Sequence, residues 1–152
     1  MATKSELRKI AQARIKAAKI LIDAGDFDYA GYTIGFVLEC ALKAVICKKL
    51  DLKSYPADDG GVSKNIRSIF KTHDLDILQM LAGLSNKFTN TGTNPFFTTW
   101  SASTQDYILP GNKQWIDMRY QTNYWTEAQV KSVYNALTNK PYGILVYLRK
   151  RW

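Results

Sequence analysis

Apolar residues recur at helical spacing through the first part of the chain. On a helical wheel they form one arc, with lysine and arginine on the opposite side, which predicts an amphipathic helix. Thr3 and Glu6 have the spacing of a capping box, which places the helix start just after Thr3. Gly25 predicts the helix end at Ala24, because glycine readily adopts the left-handed conformation that closes a helix. The apolar arc contains Leu7, Ile10, Ala11, Ile15, Ala17, Ala18, Leu21 and Ile22.

A second helix is predicted to follow Asp26, a good N-cap, and to run to about Lys49. Its apolar residues cover nearly the whole circumference, which is typical of the central helix of a bundle. Glu39 and Lys43 belong to a narrow polar seam and are four positions apart with the acid first, the order that favours an ion pair. Because these two charges interrupt the apolar run, we expect a buried core helix and no membrane span.

Arg14 departs from the pattern of the first helix, since it falls in the middle of the apolar arc. An unpaired buried charge is costly. Arg14 is therefore expected to meet a carboxylate, to extend its guanidinium to solvent, or to point into an interface or pocket. If the first two helices pack antiparallel across the turn at Gly25, Glu39 is its natural partner.

The rest of the chain predicts shorter helices separated by loops. Its capping boxes and proline positions mark where several of them begin. The predicted elements are a helical turn at 66–70, a helix from His73 or Asp74 to Leu84 capped by Thr72, a helix after Thr126 to about Thr138, and a last helix from Pro141 to about Arg151.

Residues 85–113 have a different composition, rich in Asn, Thr, Ser and Gly but with several large aromatic residues. We expect an irregular insertion that packs down over a groove, with a short β segment at 96–100. The sequence therefore predicts one domain, residues 1–152, with an all-α fold. The expected architecture is an up-and-down antiparallel bundle of four to five helices, with the insertion between the third helix and the C-terminal helices.

Charge and composition restrict the classes of ligand and partner that we expect. The 152-residue chain has a formal net charge of +8 and a pI near 9.5, which favours an anionic partner such as RNA, DNA or a nucleotide. Cys40 and Cys47 are two helical turns apart, ~10 Å, too far for a disulfide, so reduced thiols and a cytoplasmic location are expected. With one histidine and no CxxC pair, we expect no metal and no cofactor. Four tryptophans and nine tyrosines exceed what one small core needs, which predicts a homodimer.

Four short segments together resemble the HEPN family of small helical bundles. The likeness covers residues 5–50 well and extends with weaker similarity to 72–84 and 115–138. It implies a homodimer and a nucleotidyltransferase as a protein partner. The segments are Ala24-Gly25-Asp26-Phe27-Asp28-Tyr29-Ala30, Glu39-Cys40-Ala41-Leu42-Lys43-Ala44, Thr72-His73-Asp74-Leu75 and Arg119-Tyr120.

Many HEPN proteins are metal-independent ribonucleases with an arginine followed a few residues later by a histidine, usually at the start of a late helix. The histidine acts as general base or acid, and the arginine stabilises charge on the phosphate. No histidine follows Arg119 at this spacing. The only histidine, His73, follows Arg67 at a suitable spacing but earlier in the chain. The resemblance therefore implies Arg67 and His73 as the alternative catalytic pair.

Three functions are left open by the sequence. One is a HEPN-like module of a toxin–antitoxin or defence system that binds a nucleotide or RNA phosphate, a partner protein, or both. The second is a ribonuclease toxin that uses Arg67 and His73. The third is a non-catalytic interaction module that pairs with a nucleotidyltransferase. The expected ligand-binding residues are Arg14, Glu39, Lys43, Arg119 and Tyr120.

Overall fold

The computed structural model describes residues 2–58, 61–89, 94–109 and 113–152. The first helix, α1 (Lys4–Asp23), begins at the predicted capping box. The Thr3 hydroxyl accepts a hydrogen bond from the Glu6 N–H at 3.2 Å, and the Glu6 carboxylate accepts one from the Thr3 N–H at 2.8 Å. The hydrogen bonds that the Glu6 carboxylate accepts from the N–H and the hydroxyl of Thr3 lower the pKa of Glu6. Gly25, with a φ of +79°, closes the turn after α1, so both predicted ends are confirmed.

The second helix, α2 (Phe27–Lys49), is the centre of the fold. Asp26 caps it by accepting a hydrogen bond from the Tyr29 N–H, as predicted. α2 packs along α1 and also contacts helices at 75–81, 127–138 and 144–149. Its length and composition would allow it to cross a membrane, but most of it is buried inside the protein, and the core helix of a bundle has the same properties.

Further helices follow α2 in the described residues. Apart from one isolated bridge between Thr3 and Ser54, these residues contain no β-structure. The fold is therefore all-α, as predicted, but it is divided into more and shorter helices than the four to five expected. The helices are α3 (Lys64–Phe70), α4 (Leu75–Leu81), α5 (Ser85–Phe88), α6 (Pro95–Thr104), α7 (Glu127–Thr138) and α8 (Ile144–Arg149), with 3-10 helices at Pro56–Asp58, Gln105–Tyr107 and Trp115–Tyr120.

The start of α4 differs from the prediction. Asp74 is the cap, because its carboxylate accepts hydrogen bonds from the N–H groups of Asp76 and Ile77. Thr72, the predicted cap, accepts instead from the Asp74 N–H. α4 ends three residues earlier than predicted and α8 begins three residues later. The capping box at Thr126 and the extent of α7 are confirmed.

The expectation of an irregular insertion at 85–113 is wrong for the residues described. α5, α6 and a 3-10 helix occupy much of this range, and the predicted β segment lies inside α6. Asn94 caps α6 by accepting a hydrogen bond from the Phe96 N–H at 3.1 Å. Pro95 takes the first helical turn, where no N–H is needed. The parts of the insertion that lie outside the described residues are 90–93 and 110–112.

All four tryptophans are buried in the core of one chain. Trp100 stacks on Phe88 with ring centroids 4.8 Å apart, and its indole N–H donates to Asp76. Trp115 packs against α2 at Gly35. These four tryptophans are buried without a second chain, so their number is no argument for the predicted homodimer. A dimer stays a prediction that rests on the family resemblance.

Asp28, in the first turn of α2, holds the segment that leads into α7. Its carboxylate accepts hydrogen bonds from the N–H groups of Asn123, Tyr124 and Trp125, at 2.6 to 2.9 Å. The Trp125 ring then lies directly against Gly31, where a Cβ atom would overlap it. Asp28 and Gly31 are therefore two points at which α2 contacts the segment that leads into α7.

Candidate functional site

Glu39 is the buried charge at the centre of the candidate site. The residue is only 3% exposed, and α2 places it toward the segment between α3 and α4. One carboxylate oxygen accepts a hydrogen bond from the Lys43 Nζ at 2.6 Å, and the other lies 2.9 Å from the His73 Nδ1. A buried carboxylate is costly unless its oxygens are satisfied, and here both have partners. The predicted Glu39–Lys43 ion pair is confirmed.

His73 is fixed by two contacts. The Trp115 indole N–H donates to the His73 carbonyl at 2.6 Å, and Glu39 holds the ring through Nδ1. An ionised carboxylate can only accept a hydrogen bond, so a neutral His73 ring that pairs with it carries its proton on Nδ1 and keeps the Nε2 lone pair for another group. The side chain is 39% exposed. His73 is thus an oriented imidazole at the surface, with the geometry of a general base.

Lys43 connects this cluster to a neighbouring aromatic residue. Its Nζ lies 4.8 Å from the centroid of the Tyr55 ring, a geometry that stabilises a cation. The buried Tyr55 donates its hydroxyl hydrogen bond to the Phe70 carbonyl at the end of α3. Tyr55 therefore joins α3 to the site. No local sequence pattern predicts the roles of Tyr55 and Trp115, since both depend on residues distant along the chain.

α3 and the residue directly after it carry three cations, and α3 ends at Phe70, which accepts the hydrogen bond from Tyr55. Lys64, Arg67 and Lys71 fall within about 60° of one another around the helix axis, at 100° per residue. None of them forms an ion pair with a carboxylate of the described residues. The Nε of Arg67 is buried without a hydrogen-bond partner. We call these three residues the α3 basic face. Arg67, predicted to act with His73, makes no hydrogen bond to it.

The other predicted ligand-binding residues lie outside the cluster. Arg14 is exposed on α1, so its predicted pairing with Glu39 is wrong. A long arginine side chain on an apolar arc reaches solvent by bending away from the core. Arg119 and Tyr120 are both exposed, on the 3-10 helix that begins at Trp115, and the guanidinium lies 4.8 Å from the Tyr120 ring centroid. Of the predicted site, Glu39, Lys43 and His73 are in contact.

A cleft of about 290 Å³ lies next to the cluster. Trp115 forms one wall and is also the residue that donates to the His73 carbonyl. Asp74 and Asp76, at the start of α4, lie on its rim with Lys113. The aromatic residues of 85–113 were expected to cover a groove, and Tyr107 is the one that lines this cleft.

The two cysteines are structural. Both are buried and free, as predicted. Burial raises the pKa of Cys40 to about 12 and that of Cys47 to about 11, so both are protonated thiols at neutral pH. Among the described residues, no three His, Cys, Asp or Glu side chains are grouped so that they could hold a metal ion.

Comparison with known protein families, with curated proteins and with solved structures finds no match to this chain.

Proposed function

We propose that this protein is a HEPN-like helical module that binds the phosphate groups of RNA or of a nucleotide at the α3 basic face and His73. The observation that carries the proposal is the set of cations on and directly after α3 that have no carboxylate partner among the described residues, in a segment that ends shortly before the oriented, half-exposed His73. Unpaired cations on one surface attract anions, and a net charge of +8 adds to that attraction. A folded domain with such a surface is suited to phosphate ligands.

The HEPN-like arrangement is part of the same proposal. Glu39, from one of the segments that carry the resemblance, contacts Lys43 one turn further along α2 and also His73, which belongs to another of these segments 34 positions away. The long α1–α2 hairpin, with α7 and α8 against α2, supplies the antiparallel core of such a bundle. These contacts support the family assignment.

A metal-independent ribonuclease is the second candidate, favoured by the contact between Glu39 and His73. The Nε2 of His73 would take the proton from a ribose 2′-hydroxyl. The 2′-oxygen would then attack phosphorus as the bond to the 5′-oxygen breaks, and the leaving 5′-oxygen would take a proton from water, which leaves a 2′,3′-cyclic phosphate and a 5′-hydroxyl. Arg67 would stabilise the charge on the phosphate oxygens. Glu39 would orient the ring and stabilise its protonated form.

A protein partner is the third candidate. Ile66 and Ile69 of α3, and Ile77 and Met80 of α4, are large apolar side chains that stay exposed in the single chain. Such residues suit an interface with a second copy or with a nucleotidyltransferase partner. Light scattering measures the mass of the protein in solution. A monomer mass at high protein concentration would exclude a second copy as the partner.

The test of the first two candidates is one RNA experiment in EDTA. Fluorescence anisotropy would follow a labelled single-stranded RNA across a salt series, for wild type and for the triple variant Lys64→Gln, Arg67→Gln, Lys71→Gln. We expect the slope of log affinity against log salt to fall by about 2, since each lost phosphate contact removes about 0.7. A gel of the same samples reports cleavage.

The matched control for this experiment is the triple variant Arg8→Gln, Lys9→Gln, Lys16→Gln, which removes the same charge from exposed positions of α1. Equal losses in both triples would show that binding depends on total charge and would refute the site. For the ribonuclease, His73→Ala is expected to bind RNA and to lose cleavage. Absence of cleavage by the wild type would refute the second candidate and leave the first in place.

A further inference from the structure

A second cleft, lined by cations, lies where α2 ends. It has a volume of about 330 Å³ and is formed by the last turn of α2, the turn after α4, and α8. Lys48, Lys49 and Arg151 line it, and no carboxylate does. None of the three cations forms an ion pair within the described residues. We call this the α2–α8 cleft.

The α2–α8 cleft is separate from the site at His73. On α2, at 100° per residue, Lys48 lies about 140–180° around the helix from Glu39 and Lys43, and Lys49 lies about 80–120° from them. Both lysines are also about 1.4 to 2.8 turns further along the axis. The two clusters therefore face different sides of the central helix, and a ligand at one does not occupy the other.

One of the three cations, Arg151, is held in place by the surrounding structure. Lys49 is exposed, and its amine lies over Gly83, in space that a Cβ at this position would take. The Arg151 guanidinium stacks on the Tyr147 ring at 3.5 Å from its centroid and donates to the Tyr147 carbonyl at 3.2 Å. The next residue, Trp152, is buried, which fixes the backbone beside Arg151. Side chains fixed before binding lose less entropy when a ligand arrives.

A row of aromatic rings continues from this cleft. The Phe96 ring lies 4.7 Å from Tyr147 and 5.5 Å from Tyr142, between ring centroids. The Lys87 amine lies 4.8 Å from the Phe96 centroid, and Tyr142 is 46% exposed. Arg151 and Lys87 thus lie against a row of aromatic rings on this surface. Proteins that bind single-stranded nucleic acids combine these two groups, one for the phosphates and one for the bases.

Cations at the C-terminal ends of helices also have a purely structural use. Lys48 and Lys49 in the last turn of α2, and Arg149 in the last turn of α8, oppose the negative ends of the helix dipoles. That use explains cations near each end. It does not require three of them to converge on one cleft or an aromatic row beside it, and it predicts a loss of stability without a loss of ligand binding.

From these observations we infer that the α2–α8 cleft binds the backbone phosphates of a single-stranded nucleic acid. The three cations contact successive phosphates, and Tyr142 offers a ring face to a base. This site is additional to the one proposed at His73 and does not depend on it. The ligand is a polyanion, since solvent-exposed cations bind a lone phosphate weakly and gain from several contacts along one strand.

The test compares three triple variants of the whole chain that each remove three positive charges. The cleft variant is Lys48→Gln, Lys49→Gln, Arg151→Gln, and the α1 and α3 variants are those described above. Anisotropy with a labelled single-stranded RNA is expected to show affinity of the cleft variant on the order of 10- to 100-fold lower at 0.1 M salt, with a slope reduced by about 2. The α1 variant is expected to lose no more than about threefold.

The outcomes separate the two sites. A loss in the cleft variant with none in the α3 variant supports this inference and refutes the proposed function, and the reverse result does the opposite. Equal losses in the cleft and α1 variants, or no RNA binding by the wild type, overturn the inference. So does displacement of the RNA by millimolar inorganic phosphate alone, which would show a site for a lone anion. Thermal unfolding of each variant confirms that the folded protein is compared.

Discussion

At the scale of single residues, Glu39 occupies the most demanding environment. Its carboxylate is almost wholly buried and depends on Lys43 and His73 for both oxygens. Lys19 and Asp23 form an ion pair at the same helical spacing, but both side chains are more than half exposed. Water screens the exposed pair and has little access to the buried one, so the same chemistry contributes differently in the two places.

We expect Glu39→Ala to lower the free energy of unfolding by about 3 kcal/mol, because it leaves Lys43 without its counter-charge in a mostly buried position. The Lys43 side chain is 15% exposed and can reach some water, which places the loss at the lower end for a broken buried pair. Urea denaturation measures it. Asp23→Ala is the control and should cost less than about 1 kcal/mol. Equal losses would mean that Glu39 is effectively solvated.

How much of this site was predictable depends on distance along the chain. The Glu39–Lys43 pair is an i, i+4 contact on one helix and could be predicted from spacing alone. The Glu39–His73 contact joins residues 34 positions apart and requires the packing of the whole fold. The position of Arg14 on the helical wheel faces the core and predicts a contact with Glu39. Its long, flexible side chain can nevertheless bend from that face to solvent.

At the scale of elements, helix ends were predictable where the signal is local. The capping boxes at Thr3 and Thr126 and the cap at Asp26 lie where the sequence placed them. The start of α6 at Asn94-Pro95 is typical of a helix, but its aromatic and threonine residues favour a strand locally. The local pattern therefore predicts a β segment where the structure has a helix. Aromatic packing onto the core then stabilises the helix, and that contact is not local.

The contact of α2 with the segment before α7 gives the second prediction. In a helix interior, Gly→Ala ordinarily stabilises by about 1 kcal/mol. At Gly31 we expect the opposite sign, a loss of about 1–3 kcal/mol, because the new Cβ overlaps the Trp125 ring. The free energy of unfolding of Gly31→Ala, measured in urea, checks it.

A second substitution isolates this contact. In the background of Trp125→Leu, which makes room beside α2, Gly31→Ala is expected to cost less than it does alone, so the two changes are non-additive. Additive effects would mean that the cost arises within α2 itself and not at its contact with Trp125.

At the scale of the whole molecule, one core gathers residues from every part of the described chain. The four tryptophans come from α6, the 3-10 helix at Trp115, the approach to α7, and the residues after α8, and each is buried. The surface outside that core carries the positive charge, and several of its cations have no carboxylate partner in the described ranges. Composition alone predicts neither arrangement, since it gives the number of aromatic and basic residues and not their places.

We expect native tryptophan fluorescence to resist quenching by iodide, compared with a free tryptophan analogue, because all four indoles are buried. On heating, fluorescence and far-UV circular dichroism should change in one coincident transition, since the tryptophans belong to the same core as the helices. Two separate transitions would show that the α5–α6 region unfolds independently, and strong native quenching would place at least one indole at the surface.

The hydrogen bonds from Asp28 join it to a segment 95 positions further along the chain. During synthesis, α1 and α2 leave the ribosome long before the residues that cover Gly31. At a synthesis rate of about 5–20 residues per second, the α1–α2 hairpin exposes this apolar face to solvent for roughly 5–20 s. This fold is therefore most vulnerable to unwanted association while it is being made, and the delay is set by the order of its segments and not by the stability of the finished protein.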